Sequence, residues 1–252
     1  MNRPLDLHNH LKGWSDGRQT AEQLLERASE AGVRVGTADH AGITDLLNSN
    51  EQLDRYAAFL ENYPLARGIE MDLDRPFQVN PQVRKRFDYI LGSVHGVTLG
   101  GRRISFSRTF NALQGKDPSY DPRAEIPDAQ DFLKAHLRLL ENEFERQHYD
   151  VLGHCSMLPL LVLGPAEEVF PSWWEDRLVD TLKAYGTAVE LSNRWRTPYE
   201  RLLVKCRDAG LVFSLGSDGH NPDRSCHLEW PLEMIAKHAI PGEKLFDVQR
   251  EI

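Results

Sequence analysis

Short apolar runs alternate along the chain with segments of helical period. Seven runs read as strands: 4–7, 33–38, 65–69, 89–94, 151–153, 188–191 and 211–215. They are aliphatic or β-branched and apolar on both faces, as strands buried in a parallel sheet should be. Helical patterns fill most of the gaps. Thr20 opens Thr-Ala-Glu-Gln, a capping box with Gln23 in its third position, and Gly32 marks the helix end. The apolar face between them is Leu24, Leu25, Ala28 and Ala31. Segment 128–148 carries Leu133, Leu137, Leu140 and Phe144 at helical spacing. Segments 49–61, 172–185 and 198–209 show the same period more weakly. Strand and helix in alternation predict an α/β fold with a parallel sheet. Seven strands of this kind predict a closed or nearly closed barrel, TIM-barrel-like. One stretch, 96–127, lacks periodicity and holds four glycines and three prolines. Such a long irregular loop is expected to be functional.

A chain of 252 residues suits one barrel domain over 1–252, with 222–252 as a C-terminal segment. With 40% hydrophobic and 27% charged residues, the composition is globular and excludes a disordered chain. No run approaches 18 apolar residues and the N-terminus has no signal-peptide pattern, so no membrane association is expected. Three cysteines without a CxxC pair suit a reducing compartment, here the cytoplasm. Thirty basic against 38 acidic residues leave a net charge of −8. That balance repels phosphate backbones and makes nucleic acid an unfavoured partner.

Ten histidines are the one compositional excess, and their placement changes the picture. The first strand runs into His8-Asn-His10, the second into Asp39-His40, and the third into Glu70. The fourth runs into His95, the fifth into His154, and the seventh into Asp218-Gly-His220. Asp16 follows the first strand. In a parallel barrel these carboxyl ends share one face, where active sites lie. His-x-His and Asp-x-His spacing points both side chains the same way from an extended strand. Six imidazoles with Asp16, Glu70 and Asp218 form nine candidate ligands. Converging carboxylates are costly to bury without cations, and a catalytic metal takes about three or four protein ligands. Two or three divalent cations are therefore expected, with zinc, manganese and iron all compatible. His136, His148, His227 and His238 fall outside the pattern and read as structural or exposed.

This set of residues resembles the PHP (polymerase and histidinol phosphatase) family over about residues 5–221. The resemblance implies a distorted seven-stranded β/α barrel with up to three metals and phosphoester hydrolysis. It implies one metal on His8, His10, Glu70 and Asp218. It implies a second on Glu70, His95 and His154, and a third on Asp16, His40 and His220. The compact layout is similar to the stand-alone histidinol-phosphate phosphatases. The Ser15-Asp16-Gly17 run looks more like polymerase-associated branches.

The expected reaction is hydrolysis of a small phosphomonoester, with histidinol phosphate as the leading substrate, by a hydroxide shared between two cations. Glu70, Asp218 and His220 would carry the chemistry, with Asp218 passing a proton to the leaving oxygen. Arg194 and Arg196, after the sixth strand, are the first candidates for phosphate binding, and Arg102 and Arg103 in the long loop come next, with Arg108. Asp6, Asp39 and Glu190 are placed to hold the second nitrogens of the imidazoles. Trp195 would form a pocket wall. A phosphodiesterase acting on oligonucleotides is the alternative. The oligomeric state is left open.

Overall fold

A computed structural model describes residues 3–248. Ten strands form along the described chain. They are β1 (Leu5–Asp6), β2 (Arg34–Val35), β3 (Asp39–Ala41), β4 (Gly68–Asp72), β5 (Tyr89–Ser93), β6 (Gly96–Leu99), β7 (Arg102–Ser105), β8 (Val151–Leu152), β9 (Ala188–Ser192) and β10 (Phe213–Gly216). Nine helices accompany them. They are α1 (Ala21–Ala31), α2 (Asn50–Leu60), α3 (Pro81–Arg84), α4 (Ser107–Leu113), α5 (Ala129–Arg146), α6 (Ala166–Val169), α7 (Ser172–Tyr185), α8 (Glu200–Asp208) and α9 (Glu229–Lys237).

Eight of the strands pair in one parallel sheet, in the order β2-β1-β10-β9-β8-β5-β4-β3. Its outermost members, β2 and β3, are separated by only residues 36–38, so the two edges meet and the sheet curls round. Those three residues bond to both sides: Gly36 N donates to Asp6 O, Thr37 N to Ala66 O and Ala38 N to Asn9 O. The sheet thus has eight strands where seven were expected. The difference arises at 33–38, read as one strand. Pairing passes from β1 to β4 beyond it, so the extended chain carries two short strands, β2 within the segment and β3 just after it.

Tyr89 confirms the curl. Its hydroxyl lies 2.5 Å from both Leu7 O and Thr37 O, across the inside of the sheet from β5. Leu5, Leu7, Ala66, Tyr89, Leu91, Val151, Ala188 and Val248 form a buried cluster that joins β1 to β5, β8 and β9 and to the chain before β4. A larger apolar layer packs helices onto strands and includes Leu24, Tyr56, Phe132, Leu140, Trp174, Leu178 and Leu202. The capping box on α1 is present: Gln23 N donates to Thr20 Oγ1 and Thr20 N to Gln23 Oε1. Gly32 closes that helix at φ 67°, a left-handed conformation that costs glycine least.

The stretch 96–127 is more ordered than its sequence pattern suggests. Strands β6 and β7 pair antiparallel as a hairpin over Gly100-Gly101, both at positive φ, and α4 follows directly. The 222–252 segment contains α9, and its last four residues lie outside those described. Among the described residues no helix is long and apolar enough to cross a membrane.

Candidate metal centre

The extension of β1 runs beside that of β10. His10 N donates to Gly219 O and Gly219 N to His8 O, so His8 and His10 face Asp218 and His220. His40 lies within β3 and Glu70 within β4, paired in register. Both were expected at strand ends and sit inside the strands. His95 follows β5 and His154 follows β8. Two of these residues hold non-glycine left-handed backbone, His154 at φ 26° and Asp218 at φ 51°. Such conformations cost about 1 kcal/mol or more and persist only where surrounding structure imposes them. Here Glu190 Oε2 accepts from His154 N at 2.6 Å.

All nine expected ligands converge. Their nitrogen and oxygen atoms fall into four overlapping sets, each within 4.8 Å: His10-Asp16-His40-His220, His8-Glu70-His154, His8-His10-Asp218 and His40-Glu70-His95. The sets share the expected members but divide them differently from the three expected sites. Glu70 is the hub. Its Oε2 lies 2.7 Å from His40 Nδ1 and 3.4 Å from His8 Nε2, and its Oε1 lies 3.1 Å from His154 Nε2 and 3.5 Å from His95 Nε2. The imidazoles crowd one another, with His10 and His220 ring centres 4.1 Å apart.

These donors fit cations better than they fit each other. His8 Nε2, His10 Nε2, His40 Nδ1 and Glu70 Oε2 are buried with no partner in hydrogen-bond geometry, the last two facing each other at 2.7 Å only as an ion pair. Buried polar atoms are rarely left so, and a mixed set of imidazole and carboxylate donors suits divalent transition metals.

The electrostatics show the same tension. Burial would push the Glu70 carboxyl up, but His40, His8 and His95 hold it well below its usual value. Asp218 is likewise held down against burial, by Arg194 and His220. Burial lowers His95 to about 3. Burial also lowers His10 far, with His220 and His40 adding to it. His40 moves the other way: Glu70 and Asp16 outweigh burial and raise it to about 9.

Second neighbours fix the rings. Glu190 Oε1 lies 2.5 Å from His8 Nδ1, as expected for the second nitrogen of a ligand imidazole. Gly216 permits it, because any Cβ there would collide with that Glu190 oxygen and press on His8 Cβ. Asp6 holds backbone instead: Ser217 N and Oγ, His8 N and Cys226 N all donate to it. Asp39 accepts from Leu11 N, Ser15 Oγ and Tyr56 Oη, and Ser15 Oγ also lies 3.5 Å from His10 Nδ1. Burial lifts Asp39 to about 6. Asp72, unremarked in the sequence, lies 3.5 Å from His95 Nδ1.

A cavity of about 430 Å³ opens over the cluster. One wall is Trp195 with Phe110, ring centres 4.9 Å apart; Ile43, from the loop after β3, also lines the cavity. Trp195 Nε1 donates to Asp218 Oδ2 at 2.6 Å. Arg194 stacks over Trp195 and donates to Asp218 Oδ1 at 3.2 Å. The other wall is the hairpin, with Arg103, Ser105 and Ser107. Arg103 Nε donates to Asp74 Oδ2 directly over Gly96, where a Cβ would lie 2.7 Å from both partners. Burial and the adjacent Asp72 carboxyl push Asp74 up to about 7, against the pull of Arg103.

Of the arginines expected to bind phosphate, Arg194 and Arg103 line the cavity, and Arg196 and Arg102 do not. Arg196 is exposed, turned out by a left-handed backbone at φ 51°. Arg102 precedes Arg103 on β7, so alternation points it away, and it pairs with Glu125 at 3.5 Å. Arg108 pairs with Asp117 and Glu125. The sequence reading missed Arg75, Ser105, Ser107 and Phe110. Gly100-Gly101 between apolar alternations is a hairpin signal that would have placed Arg103 and Ser105. The three cysteines are buried and unpaired, and none enters a ligand set.

No family model matches the chain. The chain is 22% identical over 233 residues to the DNA polymerase/3′-5′ exonuclease PolX of Bacillus subtilis (strain 168), covering 86% of this chain and 34% of that protein. It therefore spans about a third of that relative's length. It is 23% identical to a probable phosphatase of Aliivibrio fischeri (strain MJ11), covering 97% of this chain and 89% of that protein. A crystal structure described as an amidohydrolase II superposes with a TM-score of 0.47 at 11% identity, over 96% of this chain and 95% of that one.

Proposed function

We propose that the chain is a metal-dependent phosphoesterase acting on a small phosphomonoester. The observation that carries this reading is the convergence of nine imidazole and carboxylate groups, four of them with orphaned buried atoms, beneath a cavity of about 430 Å³. Two relatives named as a phosphatase and an exonuclease support the same class.

In this reading His8, His10, Asp16, His40, Glu70, His95, His154, Asp218 and His220 hold two or three cations. When bound, such cations lower the pKa of water and offset the charge of the phosphoryl group. Arg194 binds a phosphoryl oxygen with its fork, held beside the cluster by Trp195 and Asp218. Glu190 keeps the His8 ring turned toward the cluster. Trp195 and Phe110 exclude water from one side of the leaving group. Asp218, held ionised by Arg194 and His220, takes the proton of the attacking water and hands it to the leaving oxygen. Histidinol phosphate is the first substrate to assay, on the family resemblance alone.

The second reading is an exonuclease-like phosphodiesterase, favoured by the similarity to the polymerase/exonuclease. One experiment separates the readings. The protein is purified, repleted with manganese, zinc or iron, and its metal content measured. It is then given 4-nitrophenyl phosphate, histidinol phosphate and a labelled oligonucleotide. Two or three metals per chain and turnover of a monoester are expected. Under one metal per chain overturns the metal centre, and preference for the oligonucleotide selects the second reading.

A further inference from the structure

The charged side chains lining the cavity divide cleanly. Its three carboxylates, Asp16, Glu70 and Asp218, all belong to the ligand sets. Its other charged groups outside those sets are Arg75, Arg103 and Arg194. Arg103 is neutralised by Asp74 and Arg194 by Asp218. Arg75 forms no ion pair among the described residues, although it lines the same cavity.

Arg75 is also held in place. It follows β4, where its N donates to Asp72 O at 3.0 Å in a tight turn. Gly42, at φ 94°, packs so closely that a Cβ there would lie 2.5 Å from Arg75 O. The loop after β3 therefore clamps the Arg75 backbone, while its exposed side chain stays at the mouth. The half-buried Arg194 already sits at the floor beside the cluster. An unpaired guanidinium at a cavity mouth, on a fixed backbone, is a preformed anion receptor.

We propose that Arg75 is a specificity-determining residue that binds a second anionic group, a carboxylate or a second phosphate, on the leaving part of the substrate. The inference rests on the phosphoesterase reading and sharpens it. The substrate class becomes small phosphomonoesters with a second negative charge, set against the aromatic shelf of Trp195 and Phe110. An amino alcohol such as histidinol brings the opposite charge to this mouth.

Binding tests the proposal without turnover. Metal-repleted protein is titrated calorimetrically with three non-hydrolysable probes: benzylphosphonate, 4-carboxybenzylphosphonate and 1,4-xylylenebisphosphonate. The measured quantity is the affinity of each doubly anionic probe relative to benzylphosphonate. Wild type should favour at least one of them by about tenfold, the worth of one charge-assisted hydrogen bond. Arg75→Gln should bring that ratio close to one, and Arg75→Lys should keep part of it. Comparing the carboxylate and bisphosphonate arms identifies the anion. A wild-type ratio near one, an Arg75→Gln ratio equal to wild type, or no binding of any probe overturns the proposal. Failure to hydrolyse any phosphomonoester, doubly anionic ones such as 4-carboxyphenyl phosphate included, would overturn the phosphoesterase reading instead, and the probe ratios stand apart from it.

Discussion

The molecule has two cavities of similar size and opposite chemistry. One, about 430 Å³, lies over the histidine cluster at the carboxyl ends of the strands. The other, about 470 Å³, opens beside the starts of β1 and β2 and is lined by Leu5, Leu215, Leu232, Ile235, Ile240, Leu245 and Phe246. At its rim Arg34 and Asp247 satisfy each other at 2.9 Å. Volume therefore does not distinguish a site. What distinguishes the first cavity is polar atoms left without partners and two candidate ligands on strained backbone; an arginine without an ion pair among the described residues lines each cavity, Arg75 the first and Arg3 the second. The second cavity borders packing alone.

The largest way to break this contrast is at the hub. Glu70→Ala should lower metal content below one per chain and cut kcat/KM on a monoester by about a thousandfold or more, the scale of losing metal-assisted catalysis. Elemental analysis and steady-state kinetics measure the two effects. Full activity in this variant would show that the cluster is a packing feature like the lower cavity.

Gly216→Ala tests the support beneath the hub. The new methyl must displace Glu190 from His8, so kcat/KM should fall by about 10- to 100-fold, as for loss of an outer partner of a ligand imidazole. Unchanged kinetics would mean that Glu190 does not orient His8.

The apolar cavity should behave in the opposite way. Ile240→Ala should cost about 2 kcal/mol in urea unfolding, the low end for a buried large-to-small change, because the site already borders open space. Metal content and kcat/KM should match wild type. A large drop in kcat/KM would couple the two ends and dissolve the contrast.

The last effect concerns a histidine that serves packing and leaves the cluster untouched. His136 on α5 is buried and its Nδ1 accepts from Trp174 Nε1 at 3.4 Å. Burial lowers it to about 3. Its folded form is therefore neutral, whereas the unfolded chain takes up a proton below about 6.5. The stability it allows is complete above that pH and falls as pH drops toward 3, by at most about 1.4 kcal/mol per pH unit. His136→Gln, which keeps an acceptor for Trp174, should flatten the loss of stability between pH 6.5 and 4.5. An equally steep loss in the variant would show that other groups govern that range.

The two ends were also unequally legible in the sequence. Most of the candidate ligands could be brought to one face because an apolar run stops and a histidine or acid follows, although His40 and Glu70 lie inside β3 and β4. The capping box at Thr20 and Gln23 was legible for a similar local reason. The division into β2 and β3 was not, because hydrophobic period reports burial and says nothing of which neighbour accepts each hydrogen bond. The arginines were the weakest reading. Arg102 and Arg103 are chemically alike and adjacent, and only the register of a hairpin decides which one faces the cavity. Arg75 carried no signal, since its importance lies in having no partner, a property of three-dimensional neighbours.

The buried cysteines have a practical consequence. Cys155 adjoins His154 in the chain, Cys206 lies on the inner face of α8, and the Cys226 backbone is tied to Asp6. Burial pushes the Cys155 thiol up to about 12, so at pH 8 it is both shielded and protonated, and an aromatic disulfide reagent reacts only with chains that have opened. Each thiol is then a clock for its own neighbourhood. If cations brace the cluster, loading them should slow labelling at Cys155 more than at Cys206, and mass spectrometry of the labelled peptides would read the order in which the molecule comes apart.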